Sequence, residues 1–392
     1  MSSFSFPTAL VHEWFSPRSV GGAELVVQQL DHLLQPQLFS LVDAESSHPG
    51  SWLEGRSIRT SFIQKLPFGK SHVQQYLPLL PLAIEQLNLE GYPLVLSSSH
   101  LVAKGVLTSP EQLHVSYVHT PVRYAWDQMH AYLRASSIAR GPLGPWVRWQ
   151  LHQLRLWDVL SASRPNHLIA NSRFTAQRIA RYWGRSATVL PPPVGVERFD
   201  WQQPRDSFYL CVCRLVPYKR VDLVVQACVD LDLPLLVVGD GPERKRLESI
   251  AKANIRFLGH CPAAEVEQLM ARCRAYVYAG VEDFGIAPVE AMAAGAPVIA
   301  LGRGGLRDSV LCLSQNRQTA TGLLFPDQEL AQLRSALNAF EEGRLWRELP
   351  AERLRIHAES FAPQAFRARL ERLLHNWWDT HNSDPYGAVP VN

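Results

Sequence analysis

Gly280-Val281-Glu282-Asp283-Phe284-Gly285-Ile286-Ala287-Pro288-Val289-Glu290-Ala291-Met292-Ala293-Ala294-Gly295 is the stretch on which the reading of this 392-residue chain turns. The apolar residues 275–279 before it read as a buried strand. A turn-rich loop follows, with Gly280 and Gly285. Pro288 suits a first helical turn, Ala-Met-Ala-Ala is strong helix former, and Gly295 is a stop. Strand, loop and short helix leave unpaired backbone N–H groups at the helix start, which favours a phosphate. Glu282 and Glu290 bracket the loop with seven residues between them. Their carboxylates can both face one ligand and take its hydroxyl protons in charge-assisted hydrogen bonds. A ligand with a phosphate at one end and hydroxyls at the other, a sugar nucleotide, fits that pattern. An ordinary acidic loop, with a Glu drawn to a helix start by the dipole, fits it as well.

The length is about right for two domains. Hydrophobic content of 46% with 19% charged residues marks a globular chain rather than a disordered one. A net charge of +3 does not suggest a nucleic-acid partner. The six cysteines all lie in the second half, mostly in apolar runs. They contain no Cys-x2-Cys pair, so buried free thiols are the reading rather than zinc, and a reducing cytoplasm fits. No basic, apolar leader opens the sequence and no run of eighteen apolar residues occurs, so nothing is expected to span a bilayer.

Working outward from the Glu282 loop, the second half alternates regularly. Strands are expected over 208–215, 234–239, 255–258, 275–279 and 297–301, with helices over 221–230, 243–252, 263–273 and 288–294 between them. That is a parallel sheet covered by helices, with its chemistry at the strand-end loops. The first such loop carries Arg214 and Lys219, a planar fork and a point charge for phosphate oxygens, or simply a solvated basic turn. Gly239 opens a second strand-to-helix glycine turn, which lacks the Gly-x-Gly-x-x-Gly dinucleotide fingerprint. The run 302–305 is a third glycine loop facing the same crevice.

The first half repeats the scheme less clearly. Thr8–Phe15 reads as a strand turning polar at His12 and Glu13, and 23–34 as a helix, so Gly21 and Gly22 stand where one hands over to the other. A glycine pair there lets backbone approach an anion, or is an ordinary flexible turn. Strands are expected over 37–42, 93–97, 114–119, 167–171 and 187–190, while 43–90 resist assignment. His119 ends one of these strands, where a parallel sheet presents its ligand crevice; a capping or core histidine is the other reading. Asn171 and Ser172 look like an N-cap pair for a helix over 173–182. Residues 131–164 combine three tryptophans with five arginines and turn helical from Pro145. Such a helix suits an anionic membrane surface, or a packed helix whose arginines are solvated. Pro191-Pro192-Pro193 and the irregular run to Asp206 read as an interdomain linker, and the tail from Thr380 as disordered.

Glu-x7-Glu, with Phe284-Gly285 after the first acid and Pro288-x-Glu290-Ala291 opening a small-residue helix, resembles the GT4-type retaining glycosyltransferases. That resemblance implies an α/β, GT-B architecture of two Rossmann-like domains facing each other across a cleft. The expected division is an acceptor-binding domain over 1–200, a donor-binding domain over 201–362, and a C-terminal helix within 363–392 that crosses back to the first. It covers the chain from about Val11 to Gly305, with the motifs in order.

The resemblance also implies roles. Gly21 and Gly22 pack against the donor phosphates, and Arg214 with Lys219 matches an Arg-x4-Lys pyrophosphate clamp. The segment ending at His260 lies near the base. Glu290 holds the ribose, Glu282 the sugar hydroxyls, and His119 lies at the sugar. With Gly239, the backbone of Phe284, Gly285, Ile286 and Ala287 completes the donor site. Arg123, Tyr124, Trp126 and Asp127 after His119 are similar to a subgroup of bacterial surface-polysaccharide enzymes, many of which transfer mannose. They form the expected acceptor side, and suit an exposed loop equally. The implied partners are a nucleotide-sugar donor, with GDP-mannose the choice from the subgroup, and a saccharide or lipid-linked saccharide acceptor. Peripheral membrane contact would go with the latter. No cofactor and no metal are implied. A unit charge at ~4 Å is worth about 4 kcal/mol gross at an effective dielectric near 20. A helix terminus adds roughly 0.3–2 kcal/mol, so the two cations should outweigh the dipole. A sugar-phosphate synthase or phosphorylase of the same fold, a UDP-sugar enzyme and a non-catalytic sugar-nucleotide binder are the competing readings.

Overall fold

The computed structural model describes residues 6–16 and 21–383. The chain divides into two compact units: residues up to Pro191 with those from Phe366 onward, and Pro192–Ala365. In the first, β1 (Thr8–Phe15), β2 (Gln37–Asp43), β3 (Ile58–Thr60), β4 (Leu94–Ser99), β5 (Leu113–Val118), β6 (His167–Ala170) and β7 (Thr188–Val189) form one sheet in the order β3-β2-β1-β4-β5-β6-β7. In the second, β8 (Tyr209–Val212), β9 (Leu235–Val238), β10 (Ile255–Gly259), β11 (Ala275–Tyr278), β12 (Val298–Leu301) and β13 (Gly322–Phe325) run β10-β9-β8-β11-β12-β13. Every pairing is parallel. Strand order reverses between β1 and β4 in one sheet and between β8 and β11 in the other, and ligands of such sheets bind beyond the strand ends at these reversals.

The central strands are apolar because helices cover both faces of a parallel sheet. In β1 and β4 buried polar groups gather toward the carboxyl ends, at His12, Glu13 and Ser97 to Ser99. In the second unit the alternation follows the expected elements to within a few residues. β3 and β13 are additions, each short and with no alternating pattern to announce it.

Two boundaries differ from the sequence reading. Residues 192–200, assigned there to the first domain, pack with the second unit: Val194, Val196 and Phe199 enter its core, and the Val194 N–H donates to Phe361 O at 2.8 Å. The last helix spans Pro363–Ser383, beyond the expected end, so Thr380 is helical; residues 384–392 lie outside the described part. Phe366, Leu370 and Leu374 of this helix belong to the core of the first unit. Trp377 stacks on His167 at 4.4 Å and Trp378 on Phe6 at 3.9 Å. All six cysteines are free thiols. Among the described residues no helix is long and apolar enough to cross a membrane.

Candidate active site

At the reversal of the second sheet, the loop after β11 turns at Gly280. A Cβ there would lie 2.6 Å from the Tyr278 hydroxyl, so only glycine lets that hydroxyl fold back onto Glu282. Lys219, from the loop after β8, meets the same oxygen of Glu282. Lysine, tyrosine and carboxylate thus share one hydrogen-bonded cluster, in which the side chains of Lys219 and Glu282 are mostly buried. Burial alone would lower the Lys219 pKa, but the charge and hydrogen bond of Glu282 outweigh it and raise it. Burial, then the Glu282 charge, pushes the Tyr278 phenol far up. Arg214 lies on the loop that also carries Lys219, exposed, and no described residue takes its guanidinium.

The loop is braced by glycine contacts. The Gly305 N–H donates to Glu282 O at 2.8 Å, and a Cβ on Gly304 would lie 2.4 Å from that same oxygen. The third glycine loop therefore supports the Glu282 backbone. Gly239, at φ 125°, packs onto the β8 loop so closely that a Cβ would sit 2.0 Å from Cys213 O. Its contribution here is backbone packing, directly under the segment that carries Arg214.

The helix Ile286–Ala293 starts from Gly285 at φ 90°, which offers no side-chain cap. The N–H groups of Ile286 and Ala287 have no acceptor within the helix, as at any helix start. Phe284 is buried and packs against Phe361 at 5.6 Å, leaving only its backbone to face a ligand. Glu290 is ion-paired with Arg198, whose other nitrogen lies 3.4 Å from Glu267. Burial raises the Glu290 pKa against the pull of Arg198. His260 is exposed just past β10.

At the reversal of the first sheet the polar groups face inward. One oxygen of Glu13 accepts from four consecutive backbone N–H groups, His100 to Ala103, at 2.9–3.1 Å, and from the Ser99 hydroxyl at 3.2 Å. This is an anion nest filled by the protein's own carboxylate. Its second oxygen lies 3.0 Å from His100 Nδ1. Burial would raise the Glu13 pKa, but His100, His12 and the nest hold it well below the usual carboxylate range. Burial would likewise lower that of His100, and Glu13 raises it.

His119 sits at the end of this network. Its Nε2 is 2.8 Å from Ser98 Oγ, which is itself 3.2 Å from His12 Nδ1. His12 Nδ1 is also 3.2 Å from the Ser98 carbonyl oxygen, which can only accept, so His12 carries its proton on Nδ1. The Ser98 hydroxyl proton then points to His119 Nε2, and a neutral His119 holds its own proton on Nδ1. Burial, and then the neighbouring His100 and His12, lower the His119 pKa to about 3, which keeps the ring neutral. His119 is thereby set as an N–H donor rather than a proton-transfer base.

Gly21 precedes the helix Gly22–Leu34 and donates its N–H to Glu24 at 2.9 Å; part of the loop before it lies outside the described residues. The group after His119 is partly committed to the fold. Trp126 donates to Asp158 at 2.8 Å and stacks on Tyr182 at 4.6 Å. Asp127 pairs with Arg178 at 2.9 Å, and Tyr124 packs against Tyr132. Arg123 also lies in this turn and has partners of its own. Of the cap pair, only Ser172 caps, accepting from Thr175 N–H at 3.0 Å; Asn171 instead donates to His119 O at 2.8 Å.

Tyr278, Arg198, Ser98 and His100 join these clusters without having been singled out from sequence. The signal for Ser98 and His100 was present in a strand that ends Ser-Ser-Ser-His. Tyr278 was hidden in an apolar run, and nothing local distinguishes Arg198.

Two units with wholly parallel sheets, each reversing order beside a polar cluster, define a GT-B fold. Residues 196–361 match the model of the family described as glycosyl transferases group 1. Over 332 residues the chain is 29% identical to a GDP-mannose-dependent alpha-mannosyltransferase of Mycobacterium tuberculosis, covering 81% of this chain and 83% of that one. Among solved structures, sucrose-phosphate synthase of Thermosynechococcus elongatus superposes with a TM-score of 0.68 at 18% identity, over 95% of this chain and 99% of that one. HepE of Anabaena in complex with UDP does so with a TM-score of 0.67 at 17% identity, over 94% and 100%. These last two likenesses are of fold. The chain is a glycosyltransferase by these likenesses, has the GT-B fold, and is similar to GT4-type mannosyltransferases.

Proposed function

We propose that this chain transfers mannose from GDP-mannose, with retention at the anomeric carbon, to a saccharide or lipid-linked saccharide in polysaccharide or glycolipid synthesis. The single observation that carries the donor-binding part is Arg214, an exposed guanidinium without a described partner, on the loop that brings Lys219 to Glu282 and Tyr278. Arg214 and Lys219 bind the pyrophosphate, assisted by the N–H groups of Ile286 and Ala287. Lys219 exchanges part of its contact with Glu282 for phosphate, which frees a Glu282 oxygen for a sugar hydroxyl. Glu290 takes the ribose hydroxyls, and Arg198 is its partner when the donor is absent. His119 donates from Nδ1 to a sugar oxygen. Transfer breaks the bond between the anomeric carbon and the phosphate oxygen and forms one to the acceptor oxygen. The acceptor's proton goes to the leaving diphosphate, whose charge the two cations stabilise. We assign no metal and no cofactor to these steps.

The choice of GDP-mannose rests on the named relative. A UDP-sugar donor is the second reading, favoured by a fold neighbour solved with UDP. A thermal-shift panel decides between them, because a tight ligand raises apparent stability by mass action. The proposal expects stabilisation by GDP-mannose; a shift with UDP-sugars and none with GDP-mannose would reverse it.

A further inference from the structure

The helix Gly144–Ser161 has two apolar faces. Leu151, Leu154, Asp158 and Ser161 face inward. On the other side Trp146, Trp149, Gln153, Leu156 and Leu160 recur at intervals of three and four residues, so they form one stripe along the helix. The stripe is open to solvent: Trp146 is 50% exposed, Trp149 53%, Leu156 48% and Leu160 69%. Ile138 and Leu143, on the preceding turn, are exposed as well. From Trp146 to Leu160, at 1.5 Å per residue, the stripe runs about 21 Å. Large apolar patches of this kind mark a contact surface.

Charge identifies the partner. Between Gln128 and Gly195 the chain carries nine arginines and one carboxylate. That carboxylate, Asp158, is buried against Lys104 at 2.6 Å, so nothing acidic from this segment reaches the surface. Arg134, Arg140 and Arg148 are exposed around the tryptophans. A second copy docking by a two-fold axis would set these arginines against each other. An anionic lipid surface meets both features: headgroups pair with the arginines, and the indoles sit at the interface between headgroup and acyl chain.

We infer that the exposed stripe Trp146-Trp149-Leu156-Leu160, with its flanking arginines, seats the first unit on an anionic membrane surface, the helix lying in the plane of the interface. The inference does not depend on which sugar is transferred. It implies that the acceptor is presented at that surface.

The test is co-sedimentation of the full chain with vesicles of phosphatidylcholine alone and of equal parts phosphatidylcholine and phosphatidylglycerol. Binding to the mixed vesicles should exceed that to the neutral ones by roughly tenfold and weaken as salt is raised. Trp146→Ser with Trp149→Ser should abolish most of it while melting temperature and nucleotide-sugar binding stay unchanged. Arg134→Glu with Arg140→Glu, which removes charge without touching packing, should also release the protein. Equal binding to both vesicles, or full binding by the tryptophan variant, would overturn the inference. So would a dimer that the tryptophan variant dissociates, since a second copy would then own the stripe. Vesicle binding without turnover would count against the transferase reading alone.

Discussion

The two sheet reversals are built alike and charged differently. In the first unit the described charges of the network at the reversal are answered from within. Glu13 fills a backbone nest and pairs with His100, while His12 and Ser98 fix His119 as a neutral donor. In the second, the cluster is left one cation in excess at the surface, because Lys219 answers Glu282 and nothing described answers Arg214. A self-compensated reversal is suited to orienting a neutral, hydroxylated group. One that offers both a spare cation and a helix start is suited to an anion. The two units thus share a fold and differ in where they leave charge unpaired.

Removing a compensating partner is the most severe way to break the contrast. Asp158 receives Lys104 and the indoles of Trp126 and Trp183, with Lys104 over the rings of Trp157 and Trp183. Asp158→Ala strands a buried ammonium and should cost about 3–5 kcal/mol in chemical denaturation. A loss under 1 kcal/mol would mean that the first unit does not depend on internal compensation.

In the second unit the effects fall on activity instead. Arg214→Ala should cut kcat/KM about 100-fold, near 2.7 kcal/mol, with melting temperature unchanged because Arg214 holds no described contact. Lys219→Ala should lower kcat/KM as much and also destabilise, since it leaves Glu282 with Tyr278 alone. Equal small losses in both variants would remove the clamp.

Ser98→Ala tests the tautomer. It frees His119 Nε2, so the ring can take its proton on either nitrogen, and turnover should fall roughly tenfold. Nitrogen NMR of His119 should show the Nδ1–H form in the native protein and a mixture in the variant. A native Nε2–H form would refute the assignment.

The gentlest probe is pH. Burial holds His114 and His119 each at about 3, below the ordinary histidine value of about 6.5. The unfolded chain binds the extra protons, so stability is full above pH 6.5 and is lost as pH falls toward 3. The slope is of order 1 kcal/mol per pH unit for each histidine. A first unit equally stable at pH 5 and 7 would contradict it. His100, raised by Glu13, runs the other way and offsets part of the slope.

The second unit was the more legible in sequence because its loops carry glycines and charged residues at strand ends, a pattern that survives without knowledge of packing. Gly285 and the helix behind it could be placed from local propensity alone. Even there, sequence marks Gly239 as a strand-to-helix glycine turn but does not show that it is pressed on Cys213 O. The first unit's site was less legible because its interactions join residues 86 to 90 positions apart, as between Glu13 and the 99–103 segment. Trp126 stands on the expected acceptor side, and its indole N–H is held by Asp158, a partner on a helix more than thirty residues on that sequence does not point to.

In the proposed function the uncompensated cation of the second unit receives a nucleotide diphosphate. Isothermal titration of GDP-mannose into the native protein and into Arg214→Ala tests it directly. Saturable binding to the first is expected, weakened at least tenfold in the second, with equal melting temperatures in the absence of ligand. Identical affinities for both proteins, or no binding of any GDP-, UDP- or ADP-sugar to the native chain, would contradict it.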